Sequence, residues 1–298
     1  MNSDKTFTIV GLGEILWDML PAGKQLGGAP ANFAYHSHAL GAKGVVVSCI
    51  GDDELGREIL DQLDGLDLDS QYIAMDKAHR TGTVTVKLDA NGVPDFTIHE
   101  NVAWDFIPLE AGLLELAARA DAVCFGSLCQ RLDVSRDTVR RFLKETKPDC
   151  LGIFDINIRQ SYYSKDIVHK MLETSNVLKL NEDELPLVAE LLDIKGSETE
   201  VLAELVARYE LRLVVLTKGA EGSRLYGKDG DSVCEGIAPE KIADTIGAGD
   251  AFTAAVAVGL LNGNGLEQIN AHANRVASFV CSQNGATPKL PDELVQSG

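Results

Sequence analysis

The chain has 298 residues, 45 of them acidic and 27 basic, for a net charge of −18 at pH 7. At roughly 150 residues per domain that length fits one large α/β domain or two smaller ones. With 45% hydrophobic and 24% charged residues, the composition is that of an ordinary globular chain. The acidic excess speaks against nucleic acid, which needs a basic face to displace counterions, and against an anionic membrane surface. It leaves a small phosphate ligand open, because a few backbone N–H groups and a metal ion reverse the field locally. No stretch approaches the ~20 apolar residues of a membrane span. The N-terminal patch around Asp4 and Glu14 lacks the basic lead-in of a signal peptide. Six cysteines without a C-x-x-C pair read as free thiols, so the expected compartment is the reducing cytoplasm.

Phe7 to Leu12 predicts a first strand, and a helix follows Pro30 with Gly41 as its stop. Gly44 to Ile50 predicts the next strand, after which Asp52 is expected to cap a helix through about Asp64. Thr81 to Leu88 then alternates polar and apolar, Asn91-Gly92 turns the chain, and Val93 to His99 returns. Alternation around an Asn-Gly turn is a hairpin signal. It predicts a flap or small subdomain, with an edge hairpin of the main sheet as the alternative.

Further strands are predicted at Ala122 to Phe125, Leu151 to Asp155, Val177 to Leu180 and Leu213 to Thr217, with helices near 110–119, 134–146, 182–193 and 198–209. Such alternation predicts a mostly parallel sheet with helices on both faces. Ile269, Ala273, Val276, Ala277 and Val280 share one face of a late helix, a stripe that would pack on the sheet. With no internal repeat and no Pro/Gly/Ser-rich linker, residues 1–298 read as a single domain.

Four glycine-rich stretches compete as phosphate cradles. Gly11-Leu12-Gly13 follows a strand, but Leu16 stands where a dinucleotide fingerprint needs its third glycine, which disfavours a nicotinamide oxidoreductase. Gly222 to Lys228 fits G-x-x-x-x-G-K, yet Asp229 replaces the required hydroxyl and K-D-G-D is a turn, so this reads as a hairpin. Asp244-Thr-Ile-Gly-Ala-Gly-Asp250 runs directly into an apolar helix. Gly247, Ala248 and Gly249 allow close backbone approach, and the helix start directs free N–H groups and a positive dipole end at a ligand. A carboxylate beside an anion hole repels phosphate, which makes sense if Asp250 takes a proton from an attacking hydroxyl. From the segment alone, a simple helix cap is an equally good reading. Gly27-Gly28-Ala-Pro-Ala-Asn32 is a second loop-to-helix joint that offers an amide on its first turn.

Together the last two segments resemble the ribokinase-like (PfkB-type) carbohydrate kinases, whose two signatures look like D-T-I-G-A-G-D-A-F and the stretch from Gly27 to Gly56. The resemblance runs over nearly the whole chain and is nearest to fructokinases. It implies a ribokinase-like α/β fold, a central mostly parallel sheet flanked by helices, with a β lid from segments about 14–26 and 70–104. It implies Asp250 as general base, with Gly247, Ala248 and Gly249 holding the transferring charge. Asp18, Gly27, Gly28 and Asn32 would bind the sugar. Thr217, Gly219, Gly222 and Asn274 would line the ATP site, shared with Gly247 and Gly249.

Asn181 and Glu184 look like the family's N-x-x-E element, which organises Mg²⁺ largely through water. Asp244 would belong to a monovalent-cation loop. Lys289 stands where many members have a small hydroxyl side chain, and its ammonium would replace the ion, which speaks against K⁺ activation. Asp155-x-Asn157-x-Arg159 resembles an element of the fructokinase and 2-keto-3-deoxygluconate kinase branches, with Arg159 on the transferring phosphate or, alternatively, in a surface ion pair. Ala29 replaces a lysine typical of ribokinases.

The implied activity is transfer of the γ-phosphate of ATP to a sugar primary hydroxyl, fructose giving fructose 6-phosphate. 2-Keto-3-deoxygluconate, ribose and nucleoside kinases, or a non-catalytic sensor on this scaffold, are the alternatives. Sugar and ATP are the expected partners, with a homodimer through the lid. His36 and His38 point to different helix faces and are poor joint metal ligands.

Overall fold

The computed structural model describes residues 6–20, 23–88, 94–239 and 241–295. The first apolar run, β1 (Thr8–Leu12), lies inside a nine-stranded sheet and not at its edge. After it come β2 (Leu16–Leu20), β3 (Gly23–Gly27), α1 (Ala29–Ala39), β4 (Lys43–Gly51), α2 (Glu54–Gly65) and β5 (Ile73–Asp76). β6 (Gly82–Leu88), β7 (Pro94–Ile98), α3 (Ala111–Arg119), β8 (Ala122–Phe125), α4 (Asp133–Lys144) and β9 (Leu151–Asp155) follow. The second half runs α5 (Lys165–Thr174), β10 (Val177–Asn181), α6 (Glu184–Leu191), α7 (Glu198–Arg208) and β11 (Leu213–Thr217). It ends with β12 (Ser223–Gly227), β13 (Gly230–Cys234), α8 (Ala248–Asn262), α9 (Leu266–Cys281) and α10 (Asp292–Val295).

β1 pairs in parallel with β4 on one side and β8 on the other. The sheet order is β13-β12-β11-β10-β9-β8-β1-β4-β5, and only the β12–β13 end is antiparallel. From β1 the chain first builds outward to β5, then returns to build outward in the opposite direction from β8. That reversal opens a crevice at the carboxyl ends of β1 and β8, where ligands of open α/β sheets bind.

Because strand side chains alternate, each face of the sheet carries its own core. On one face Val10, Leu12, Val123, Phe154 and Leu180 pack with α3 to α7. On the other, Ile9, Ala122, Ile153 and Val215 pack with Phe33 of α1 and with α8 and α9. α8 is apolar all round and buried from Ala251 to Leu260, as expected of a helix wedged between other helices and a sheet. Ile269, Ala273, Val276 and Val280 of α9 form the expected buried stripe, with Ala277 at its margin. No helix among the described residues is long and apolar enough to cross a membrane.

The predicted hairpin is β6 paired antiparallel to β7, its Asn91-Gly92 turn falling outside the described residues. It is not an edge of the main sheet. It joins β2 and β3 in a separate four-stranded sheet of order β3-β2-β6-β7. This sheet takes Leu16–Leu20, Gly23–Gly27, Gly82–Leu88 and Pro94–Ile98, while Ile73–Asp76 continues the main sheet on β4. One cap differs from expectation. Asp53, not Asp52, caps α2, accepting the Gly56 N–H at 2.8 Å, while Asp52 faces Arg57. Gly222 to Lys228 is the hairpin strand β12 and its turn, not a phosphate loop.

The seating of α1 on the sheet depends on two glycines. A Cβ at Gly11 of β1 would strike the Pro30 carbonyl, and one at Gly44 of β4 would strike that of Ala34. Gly11→Ala and Gly44→Ala are each expected to lower unfolding free energy by about 1–3 kcal/mol, the range for overpacking a close contact. Denaturant unfolding measures this, and wild-type stability in both variants would show that α1 is free to shift.

Candidate active site

The crevice is walled by strand ends and roofed by the starts of α1 and α8. α1 begins at Gly28, whose φ of +110° a side chain would rarely adopt, and a Cβ there would also meet the Glu14 carbonyl. Pro30 occupies the first turn, where its missing N–H costs nothing. One turn in, Asn32 is buried.

α8 begins at Gly247, also left-handed at φ +79°, with the Ala286 backbone where a Cβ would go. His36 of α1 fixes that backbone. Burial lowers its pKa to about 4, so the neutral ring donates from Nε2 to the Ala286 carbonyl at 2.8 Å. No side chain caps α8, so its first N–H groups and positive dipole end face the crevice.

Asp250 stands in that first turn. It is not the cap, which is Gly247. Its Oδ2 instead accepts the Asn32 Nδ2–H at 2.8 Å, joining α8 to α1 across 218 positions of sequence. Burial, reinforced by the Asp155 charge, raises the Asp250 pKa to about 6, against the Asn32 bond and the cations Lys179 and Arg159. A carboxyl so placed is a proton acceptor near neutral pH.

Lys179 was not singled out by the sequence, although a lysine inside an apolar strand is itself a signal. Its ammonium is buried and donates to Asp155 Oδ1 at 3.1 Å. Burial pushes toward loss of its proton, but Asp155, Glu184 and Asp250 outweigh that and raise its pKa above the usual lysine value. A Cβ at Gly249 would lie 3.5 Å from this ammonium, so the charge sits directly beneath the Gly247–Gly249 turn. Thr253 closes the network, donating at 3.2 Å to Asp155 Oδ2 and at 2.9 Å to the Gly249 carbonyl.

Asn181 and Glu184 act on each other's backbone. Asn181 Oδ1 accepts the Glu184 N–H at 2.9 Å, and Glu184 Oε2 accepts that of Asn181 at 2.8 Å. Glu184 Oε1 takes the Ile158 N–H at 2.7 Å, tying the Asp155–Arg159 loop to β10. Each carboxylate oxygen keeps a lone pair, which suits a hydrated Mg²⁺ better than a stripped one. No cluster of three or more metal-ligating His, Cys, Asp or Glu side chains exists among the described residues.

Asp18 lies on β2, its carboxyl directly over Gly27 so that a Cβ there would overlap it. Burial raises its pKa to about 6, with Arg159 opposing and Asp244 adding. Arg159 is exposed in a loop where Asn157 (φ +42°) and Gln160 (φ +48°) are left-handed. Its guanidinium donates to the Ile158 carbonyl at 3.1 Å and faces Asp18, Glu14 and Asp250 electrostatically, and no ion pair is recorded for it among the described residues.

Thr217 ends β11, and Gly219 and Gly222 shape the following turn, both at positive φ. Asn274 lies on α9 beside this turn. It is buried, its amide donating to Ser223 Oγ at 2.7 Å and the Asn270 carbonyl at 2.8 Å, and so braces β12 behind Gly222. Asp244 accepts the Ile246 N–H at 3.0 Å and the Gly285 N–H at 3.4 Å. Lys289 is exposed and forms no ion pair with it.

Between these groups lies a narrow cleft, open to solvent and lined by Glu14, Pro30, Phe125, Asp155, Asn157 and Asp250 among others. The first glycine-rich segment therefore contributes an acid, Glu14, and not a phosphate cradle.

A profile described as pfkB family carbohydrate kinase matches residues 22–293. The chain belongs to that family. It is 30% identical to the fructokinase of Klebsiella pneumoniae, over 96% of this chain and 97% of the other. To an uncharacterized sugar kinase from Pyrococcus horikoshii it is 31% identical, over 97% and 94%, and the crystal structure of that protein matches with a TM-score of 0.83 over 97% of each chain. A fructokinase from Vibrio cholerae in fructose-, ADP- and calcium-bound form matches at TM-score 0.78 and 25% identity over 98% of both. The fold is that of the ribokinase-type kinases, and the activity class is phosphoryl transfer to a carbohydrate hydroxyl.

Lys179→Met leaves Asp155 buried without its cation. The variant is expected to lose about 3–5 kcal/mol of stability, as when one partner of a buried ion pair is removed. The Asp250 carboxyl should also titrate higher than in the wild type, by carboxyl NMR. Unchanged stability and titration would show that another group compensates these acids.

Proposed function

We propose that the protein is an ATP-dependent fructokinase that transfers the γ-phosphate to the primary hydroxyl of fructose, giving fructose 6-phosphate. The observation that carries this is Asp250: a half-buried carboxylate held by Asn32 at an uncapped helix start, where it repels phosphate unless it has a proton to remove. Fructose as acceptor is supported by the names of relatives about 30% identical over nearly their full length.

Asp250 accepts the hydroxyl proton as the oxygen attacks the γ-phosphorus in line, and the bond to the leaving ADP oxygen breaks. N–H groups of the Gly247–Gly249 turn receive the charge of the moving phosphoryl group, as transfer chemistry needs stabilisation more than covalent help. Arg159, exposed on its left-handed loop, reaches the same charge from the opposite side. Asp18, Gly27, Gly28 and Asn32 hold the sugar. Thr217, Gly219 and Gly222 line the nucleotide, with Asn274 behind them. Mg²⁺, held through water by Asn181 and Glu184, would neutralise phosphate charge when bound. The four-stranded sheet serves as a lid that excludes water, and its open edges β3 and β7 are suited to pairing two copies. A reducing, cytoplasmic setting agrees with six free cysteines.

A coupled assay over fructose, 2-keto-3-deoxygluconate, ribose and nucleosides tests the acceptor, with fructose expected to give the highest kcat/KM. Preference for another acceptor moves the protein to a different branch. Asp250→Asn is expected to lower kcat by about 10²–10⁴-fold, the range for a general base, with sugar KM little changed. Because the base works unprotonated, wild-type kcat should fall as pH drops through about 6. Retained turnover in the variant would remove the base assignment. Arg159→Ala should lose kcat as well as raise KM, whereas a change confined to KM would return it to the surface.

A further inference from the structure

Glu14 follows β1 at the sheet's switch point and is 3% exposed. Its side chain forms no salt bridge among the described residues, and its Oε2 is buried without a hydrogen-bond partner. It shares the pocket with Asp155, Asn157 and Asp250, among walls that are otherwise largely carbon: Ala29, Pro30, Phe33 and Phe125. A buried carboxyl with an unused oxygen is costly, and native structures seldom keep one without a use.

The inventory of donors sharpens the point. Asp250 is an acceptor. Asn32 gives one of its two Nδ2 hydrogens to Asp250, and its Oδ1 is also buried without a partner. Asp155 is engaged by Lys179 and Thr253. The second Asn32 N–H and the Asn157 amide are donors at this pocket, whereas the ionised carboxylates receive hydrogens from a polyol but cannot give one to its oxygens. A neutral carboxylic acid can.

Resting on the kinase reading above, we propose that Glu14 is an acceptor-binding residue: as a protonated acid it donates a hydrogen bond to an oxygen of the bound sugar, beside the hydroxyl that Asp250 activates. Its surroundings favour the neutral form. Burial raises its pKa to about 7, partly opposed by its own backbone N–H and by Arg159, and raised further by Asp250, with Arg131 lowering it. The charged and titratable groups that face it are Arg159 from the β9–α5 loop, Asp250 from α8, Asp155 at the end of β9, and Cys129 and Arg131 from the segment before α4. Arg131 is committed to Asp105 at 2.7 Å, and its charge faces Glu14 without a bond between them. Asp18 and Asp250 titrate lower, at about 6, and it is the Glu14 variants that assign the decline.

Calorimetric titration with fructose and the other acceptors, without nucleotide, tests this whether or not phosphate is transferred. Between pH 6.5 and 8.5, assay values chosen at about half a unit below and about one and a half units above the Glu14 transition, wild-type sugar affinity should fall severalfold. Glu14→Gln, which keeps a donor, should bind within about twofold of the wild type at the lower pH and show no decline. Glu14→Ala should bind about tenfold more weakly, the loss of one hydrogen bond, with ATP affinity and melting temperature near wild type. Wild-type affinity in Glu14→Ala, or equal losses in both variants, would overturn the assignment of Glu14 alone. A wild type that binds none of the acceptors would overturn the sugar-kinase reading and this proposal with it.

Discussion

The Asn32–Asp250 hydrogen bond is the constraint around which the crevice is built. It joins the first turns of two helices 218 positions apart, and both helices must start at defined places for it to form. Gly28 and Gly247 provide those starts through left-handed backbone and contacts too close for a Cβ. Gly11 and Gly44 seat α1 on the sheet from below, and neutral His36 ties it to the segment against which Gly247 rests. Local strain and close packing are thus spent on fixing one carboxylate relative to one helix N-terminus.

The electrostatics follow from the same placement. Glu14, Asp155, Glu184 and Asp250 crowd one side of the sheet, and a single buried ammonium, Lys179, lies among them. Such a cluster is a poor way to gain stability, since burying charge costs more than pairing returns. It is a good way to separate titrations, with carboxyls at about 6 and about 7 in one pocket available for different tasks. The lysine also places positive charge under the Gly247–Gly249 turn, where the carboxylates alone would repel any anion.

Much of this was legible in the sequence. Strands Ala122–Phe125, Leu151–Asp155 and Leu213–Thr217 begin and end where their apolar runs do, and the Asn-Gly signal marked the hairpin that became β6 and β7. The two glycine-rich helix starts were visible because glycine and proline there have few other uses. Sheet membership was not visible: nothing in Ile73–Asp76 says that it pairs with β4, while Gly82–Leu88 pairs with β2. Lys179 and Glu14 escaped for a related reason. Each is a lone charge in an apolar stretch, and its role depends on groups that only the tertiary fold brings near. Asn274, expected near the ligand, has its amide bonded to Ser223 and Asn270, contacts that only the tertiary fold supplies. In its own segment Asp250 reads equally as cap or base, and in the structure the cap position is held by Gly247.

A crystal structure with sugar and a non-hydrolysable ATP analogue bound addresses the central claim most directly. The account predicts an Asp250 oxygen about 2.6–3.2 Å from the acceptor's primary hydroxyl, the reach of a general base, with the terminal phosphate at the start of α8. A carboxylate turned away from every sugar hydroxyl, bonded to Asn32 alone while the phosphate lies elsewhere, would contradict it.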